Sequence, residues 1–427
     1  MQITRKTRKN RISLSILLPA VIISILGILT LYFTDPAYII GSDSLSNIVI
    51  KQILFLFVGV FIFWTLSKFD FEYLKFRPLI ILLYVATVLL LILTLFFGET
   101  VKGAQRWITI AGIQLQPSEL AKLTVIIVTA FVLNLQTKFK EYVLIIASFL
   151  LTLPILVLVY LQPHGSMTLI LMGIWAVTVF FSLPQQFRNF LMLLILALVS
   201  VGIWGAFVYS SAVFYILIAV GLVVFLYSFF SNNGWQIIAS IFFVIAIVGG
   251  LISSYSWNSI LLPYQKERVT SFLAPDSADP NSTFNVDQAK IAIGSGQIFG
   301  KGWGNSTQAS REFLPEHQTD FIFASYAEQT GLVGGVILAA LYTLLLSSIF
   351  VIPIKDSSNI YASTIVVAIG VKILIEVFIN LGTNLGVTPA TGIPLPLMSA
   401  GGSVTLVTFF SLGLIQSIMN RRSFIDN

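Results

Sequence analysis

Two places in this chain hold residue types that could move protons or hold anions. Residues 274–296, APDSADPNSTFNVDQAKIAIGSG, put Asp276 and Asp279 beside Pro275 and Pro280 and add Asp287, in a sequence that mostly avoids charge. Carboxylates can act as general bases, while on local grounds both Asp276 and Asp279 are turn formers. The second place is QPSELAK, where Glu119 and Lys122 stand three residues apart and so share a helix face. They read as a helix-end ion pair or as the wall of a polar cavity, because ionisable groups inside a membrane are costly and tend to mark sites. Just upstream, Lys102 and Arg106 precede Trp107. That trio reads as an aromatic belt with snorkelling cations or as a clamp for a phosphate-bearing lipid headgroup, with Arg as a bidentate fork.

Further along, Asp320 sits at the mouth of an apolar run and Glu328 about two turns inside it, while Lys372 and Glu376 lie four apart in the next run. Each is open to two readings, an intramembrane salt bridge or a substrate contact. The glycines of GSGQIFGKGWGNSTQ permit close backbone approach to a ligand, but no GxxxxGK[ST] phosphate loop is present. Cys is absent and His occurs twice, at His164 and His317, so the sequence offers no thiolate or histidine-built metal centre.

The elements that must position these residues follow from composition. Of 427 residues, 57% are hydrophobic and 10% charged, and the mean hydropathy is +0.94. Soluble domains carry about 25% charged residues, so the bilayer is the solvent for most of this chain. The net charge of +6 then speaks of topology and anionic lipid rather than of nucleic acid. Apolar runs at 12–33, 49–67, 78–97, 118–135, 143–161, 165–183, 190–208, 212–230, 235–254, 321–350, 360–380 and 397–418 predict about twelve transmembrane helices, the first retained rather than cleaved. Lys68, Lys75, Arg77, Lys138, Lys140, Arg188, Lys355, Arg421 and Arg422 fall on one side of that arrangement, which puts both termini in the cytoplasm. The expected fold is an all-α polytopic membrane protein, one integral-membrane domain over 1–427, with a long extracellular loop at 255–320. Within that loop Val286, Ala289 and Ile293 share one face of an expected short helix, with Ser282 or Thr283 as cap and Gly294 as its end.

The segments KGAQRWI, QPSELAK, IAIGSG, FLPE, TDFIFA and GIPLPLMSAGGS, in this order, resemble the SEDS family of cell-wall synthesis proteins (shape, elongation, division and sporulation). The resemblance runs from the first span to the last and leans to the elongation-type members, with a role in division as the alternative. It implies a ten-helix core, so the two extra candidates within 184–254 read as an inserted hairpin. It implies peptidoglycan glycosyltransferase activity: polymerisation of lipid II, an undecaprenyl-diphosphate-linked substrate, into glycan strands at the outer face of a bacterial cytoplasmic membrane. It also implies a class B penicillin-binding protein as partner, packed against the spans that follow the long loop.

Residue by residue, the family's essential Asp-Pro ahead of the AIGSG element falls on Asp279, the implied catalytic residue. Glu119 and Lys122 match the residues that line the family's central cavity. The polar residues of the matching motifs complete the implied substrate-binding set: Lys102, Arg106, Gln116, Ser118, Lys290, Ser295, Lys301, Gln308, Glu316, Thr319, Asp320 and Ser403. Besides the extra candidate spans within 184–254, two departures stand out. The family's PDLG reads PHGS here, with His164 at the acidic position, and its EELG reads EQTG, which keeps Glu328.

The implied reaction is a single displacement with inversion. Asp279 takes the proton of the attacking sugar hydroxyl, and Arg106, Lys102, Lys290 or Lys301 meets the leaving diphosphate. A divalent cation, Mg or Mn, is an alternative holder of that diphosphate, although no metal-ligand spacing is visible and no other cofactor is called for. A transporter of lipid-linked oligosaccharides would also use many spans and buried charges; it would not need an external base.

Overall fold

In lipid an apolar run has only its own carbonyls to satisfy its amides, so each spanning run must fold as a helix. The computed structural model describes residues 12–35, 46–101, 104–110, 113–183, 226, 255, 266–267, 270–272, 280–309, 313–355 and 359–422. Among these, nine helices are long and apolar enough to cross a membrane. They are α1 (Leu14–Phe33), α2 (Asn47–Ser67), α3 (Arg77–Phe97), α4 (Pro117–Leu133), α5 (Glu141–Leu161), α6 (Gly165–Ser182), α8 (Ile322–Lys355), α9 (Ile360–Asn384) and α10 (Gly402–Arg422). A shorter helix, α7 (Pro280–Ser295), precedes α8. The expected spans at 190–208, 212–230 and 235–254 lie outside the described residues. The last span begins at Gly402 rather than at 397, because Leu397 takes a positive φ of 69° and Ser399 bonds back across the preceding turn.

The connector expected as loop at 98–117 contains a three-stranded antiparallel sheet, β1 (Glu99–Val101), β2 (Ala104–Ile110) and β3 (Ile113–Leu115), in order 1-2-3. Glu99 pairs with Trp107 and Ile108 with Leu115. The β-branched and aromatic residues of RWITI favour this pleated surface. Pro117 then occupies the first helical turn of α4, where its missing amide costs nothing.

Packing follows the small and apolar faces. α10 lies along α2, α1 along α8, and α9 contacts α8, α6 and α4. α4 and α9 form the centre, buried over nearly their whole length. At the end away from the sheet, side chains tie the helix ends together. Ser417 donates to Phe69 O at 2.6 Å, Asn420 to Ser67 O at 2.8 Å and Tyr361 to Leu74 O at 2.9 Å.

α8 is broken. Gly331 has φ 67° and ψ −163°, so the helix stops after Thr330 and restarts at Leu332. The freed backbone groups are satisfied by the chain that follows α7. Leu332 N–H donates to Gln297 O at 2.9 Å and Val333 N–H to Ile298 O at 3.1 Å, while Lys301 and Gly302 donate to Glu328 O and Gln329 O, both at 3.0 Å.

Candidate functional site

The sheet end gathers most of the residues singled out from the sequence, and each is fixed by a separate device. α7 lays Ala289 and Ala292 against Leu314, Phe321 and Ala324, with Val286 and Ile293 packed beside them. The predicted face is therefore the buried one. The predicted ends differ. The helix starts at Pro280, ahead of Ser282 and Thr283, and runs through Gly294 to Ser295, whose hydroxyl donates to Ala292 O at 2.8 Å. Proline suits that first position because it has no amide to satisfy. Asp279 immediately precedes the helix in sequence and lies, with Asp276 and Lys102, outside the described residues. Lys290 is half exposed, 3.5 Å from Asp287, and its side-chain carbons rest against Gly386.

The glycine-rich stretch approaches the protein's own backbone rather than an open ligand site. A Cβ on Gly300, which has φ 78°, would stand 2.1 Å from Gln329 O, and one on Gly331 would stand 2.3 Å from Gly300 N. Glu328 anchors the outer part of this loop. Its buried carboxylate accepts from Lys301 Nζ at 2.7 Å, Thr307 N at 2.8 Å, Thr307 Oγ1 at 2.9 Å and Gln308 N at 3.1 Å. Three successive amides, from Thr307 to Ala309, point at it. An anion in such a backbone nest is strongly held. Lys301 also donates to Thr307 Oγ1 at 2.7 Å, so its ammonium serves this clamp. Of the two readings open for Glu328, the geometry gives the structural salt bridge.

The next device was not legible as a site. Asn380 and Asn384, one turn apart on α9, both donate to Asp320 O, at 2.9 and 3.0 Å, and Asn384 Oδ1 accepts from Ala324 N at 3.0 Å. Asn380 also donates to Ile393 O at 2.8 Å. From the other side Ser399 donates to Thr319 O at 2.6 Å and Ala400 N–H to Gln318 O at 2.9 Å. Glu316, at φ 54°, accepts from Thr319 Oγ1 at 3.0 Å. The Glu316–Asp320 segment is thus held by α9 and by the loop before α10. The available signal was two asparagines at i and i+4 in an otherwise apolar run. Gln52 in α2, which bonds Ser399 O, Thr405 Oγ1 and Gly401 N, was missed for the same reason.

The sheet is tied in at two points. Ser403 Oγ accepts from Gln116 N at 2.9 Å and donates to Gln114 O at 3.3 Å. Arg106 donates through Nη2 to Pro163 O, which joins β2 to the turn carrying the buried His164.

Deeper by about one turn lies a cluster of four charges. Lys122 Nζ is 2.7 Å from the Glu119 carboxylate on its own helix and forms a direct ion pair with Glu376 on α9. Lys372 Nζ is 3.2 Å from Glu376 Oε2. All four side chains are 0–1% exposed. The sequence left Glu119 and Lys122 open between an ion pair and the wall of a polar cavity; in the structure they are ion-paired, and α9 packs its own charges, Lys372 and Glu376, against them. Ser118, one turn from Lys122, is buried there too. Among the described residues no group of three or more His, Cys, Asp or Glu could hold a metal ion.

Comparison with known proteins gives the chain's family. The family model FtsW/RodA/SpoVE, described as cell cycle protein, matches residues 12–242 and 209–423. Peptidoglycan glycosyltransferase MrdB of Escherichia coli (strain K12) is 31% identical over 347 residues, 81% of this chain and 78% of that protein. Peptidoglycan glycosyltransferase RodA of Treponema pallidum (strain Nichols) is 29% identical over 434 residues, 95% of this chain and 97% of that one. A chain of a solved peptidoglycan synthase complex, described as structurally coordinating polymerization and crosslinking, superposes with a TM-score of 0.63 at 26% identity, covering 96% of this chain and 97% of that chain. The crystal structure of Thermus thermophilus RodA shares the fold, with a TM-score of 0.59 at 23% identity over 96% of each chain. The family-model match along almost the whole chain, the 31% identity to MrdB and the nine apolar helices among the described residues make this chain a multi-pass membrane protein of the FtsW/RodA/SpoVE family, the SEDS family.

Proposed function

We propose that the chain is a peptidoglycan glycosyltransferase that polymerises lipid II at the outer face of the cytoplasmic membrane. The observation that carries this reading is the match along almost the whole chain to relatives named for that activity. The geometry fits the chemistry. Glycosyl transfer from a lipid diphosphate needs a base and a leaving-group clamp at the membrane surface, and the sheet end supplies α7, packed on Leu314, Phe321 and Ala324, beside the clamped Glu316–Asp320 segment. Asp279, next to Pro280, is assigned as the base. The buried carboxylate of Glu328 holds Lys301 in its clamp; Arg106, Lys102 and Lys290 are assigned to the diphosphate.

Sidedness is supported by charge. Lys68, Lys75, Arg77, Lys138, Lys140 and Lys355 all fall at the end away from the sheet, which the positive-inside rule places in the cytoplasm. A class B penicillin-binding protein would pack its helix on α8 and α9; exposed Leu332, Val336 and Leu344 on α8 and Leu374 and Phe378 on α9 offer it an apolar surface.

The test is reconstitution of the purified chain with lipid II and a matching class B penicillin-binding protein. Glycan polymer on a gel supports the reading. Translocated but unpolymerised lipid II favours the second reading, a lipid-linked oligosaccharide transporter, which the buried charges between α4 and α9 would also suit.

A further inference from the structure

Directly after α7 the chain makes a tight turn, closed by Gly300 N–H donating to Gly296 O at 2.7 Å. The turn is pinned to α8. A Cβ on Gly296 would stand 2.2 Å from Ala327 O. The carbonyls of Gln297 and Ile298 accept from Leu332 and Val333, the first two amides after the break. Held in this way, the turn leaves two large apolar side chains outside the protein: Ile298 is 57% exposed and Phe299 is 82% exposed. Single exposed apolar residues are ordinary, but two adjacent ones at the tip of a fixed turn mark a contact surface.

Two observations say what covers them. The first is depth. Leu332 opens a run, 332–354, that contains no charged residue, with Leu332, Val333, Val336 and Ile337 exposed along it. Such a run lies at membrane depth. The turn is hydrogen-bonded to its first two residues, so the tip is level with the start of that run. The second is the backbone. Gly296, Gln297 and Ile298 present three successive carbonyls, and all three accept from amides of the chain itself. Carbonyls in water need no such partners, whereas carbonyls entering lipid must have them.

We infer that the turn at 297–299 is a lipid-inserted tip, whose Ile298 and Phe299 enter the acyl chains of the leaflet at the sheet end of the bundle. The ligand is the apolar layer of the bilayer. The insertion goes beyond the proposed activity and does not rest on it.

The chain has no cysteine, so a nitroxide can be placed at one position at a time. Ile298→Cys and Phe299→Cys alter exposed positions and remove little packing. Leu93→Cys, exposed on the spanning helix α3, is the lipid reference, and Asp287→Cys, exposed on α7, is the water reference. The same nitroxide at Asp287 controls for the label's own affinity for lipid. The full-length protein is measured in phosphatidylcholine and phosphatidylglycerol liposomes, alone and with the proposed penicillin-binding protein. Labels at 298 and 299 should collide with dissolved oxygen as the label at 93 does. They should lose the collisions with a water-soluble nickel chelate that the label at 287 keeps. Collision ratios nearer to those at 287 than to those at 93 overturn the proposal. So does a loss of oxygen collisions at 298 and 299 on adding the penicillin-binding protein, which would make the tip a protein contact.

Discussion

Lys122 and Glu376, 254 positions apart, form a direct ion pair that joins α4 to α9 in the interior of the helix bundle. Around it the protein separates two tasks. Near the sheet, polar side chains hold backbone carbonyls and amides and build a stiff surface. One turn deeper, charges hold charges.

Asp279 stands directly before the first residue of α7. Replacing it with Ala should abolish glycan polymerisation, a loss on the order of a thousandfold or more for a missing general base. Thermal unfolding in detergent and co-purification with the proposed penicillin-binding protein should match the wild type. Polymer made at a normal rate by the variant would remove Asp279 from the chemistry.

Glu328 holds three amides and Lys301 at once. Glu328→Ala should lower stability by about 3 kcal/mol, because one buried acceptor satisfies several donors that would be left without partners. Glu328→Gln keeps an acceptor and should lose roughly half as much. Denaturation midpoints in detergent decide this; equal losses would show that the negative charge, rather than the number of acceptors, matters.

Asn384 fixes both Asp320 O and Ala324 N. Asn384→Leu leaves both backbone groups buried without that partner and should cost about 2 kcal/mol. Hydrogen exchange should rise at the amides of 318–325 before it rises elsewhere. Uniform exchange across the chain would contradict a local clamp.

Gly331 admits no side chain, since a Cβ there meets Gly300 N at 2.3 Å and the φ is 67°. Gly331→Ala should destabilise by about 2 kcal/mol or more. Gly335→Ala is the control: its Cβ meets nothing closer than 3.8 Å, so it should be neutral or slightly stabilising.

What the sequence made readable was governed by local rules. Hydropathy gave the nine spans among the described residues, because lipid forces each apolar run to be helical whatever its neighbours do. The buried face of α7 followed from the spacing of Val286, Ala289 and Ile293. The pairs within one helix, Glu119 with Lys122 and Lys372 with Glu376, followed from i+3 and i+4. Contacts between distant segments were not readable. Nothing near Lys122 points to a residue 254 positions on, and nothing near Glu328 shows that Thr307–Ala309 will fold its amides around it. The short sheet was hidden for another reason: it fills a connector too short for periodicity to stand out against apolar helices. The glycine-rich stretch carried a correct signal, close backbone approach, with the wrong partner attached, since the approached backbone is the protein's own.

The interruption at Gly331 also sets how α8 fits its surroundings. Unbroken, its 34 residues would reach about 51 Å at 1.5 Å per residue, far beyond a hydrocarbon layer of about 30 Å. Counting only from Leu332 to Lys355, the rod shortens to about 36 Å, a length that a modest tilt accommodates. The amino-terminal piece is thereby freed from acting as a membrane crosser and becomes headgroup-level scaffolding. That is a depth at which a carboxylate such as Glu328 meets far less of the penalty hydrocarbon would impose.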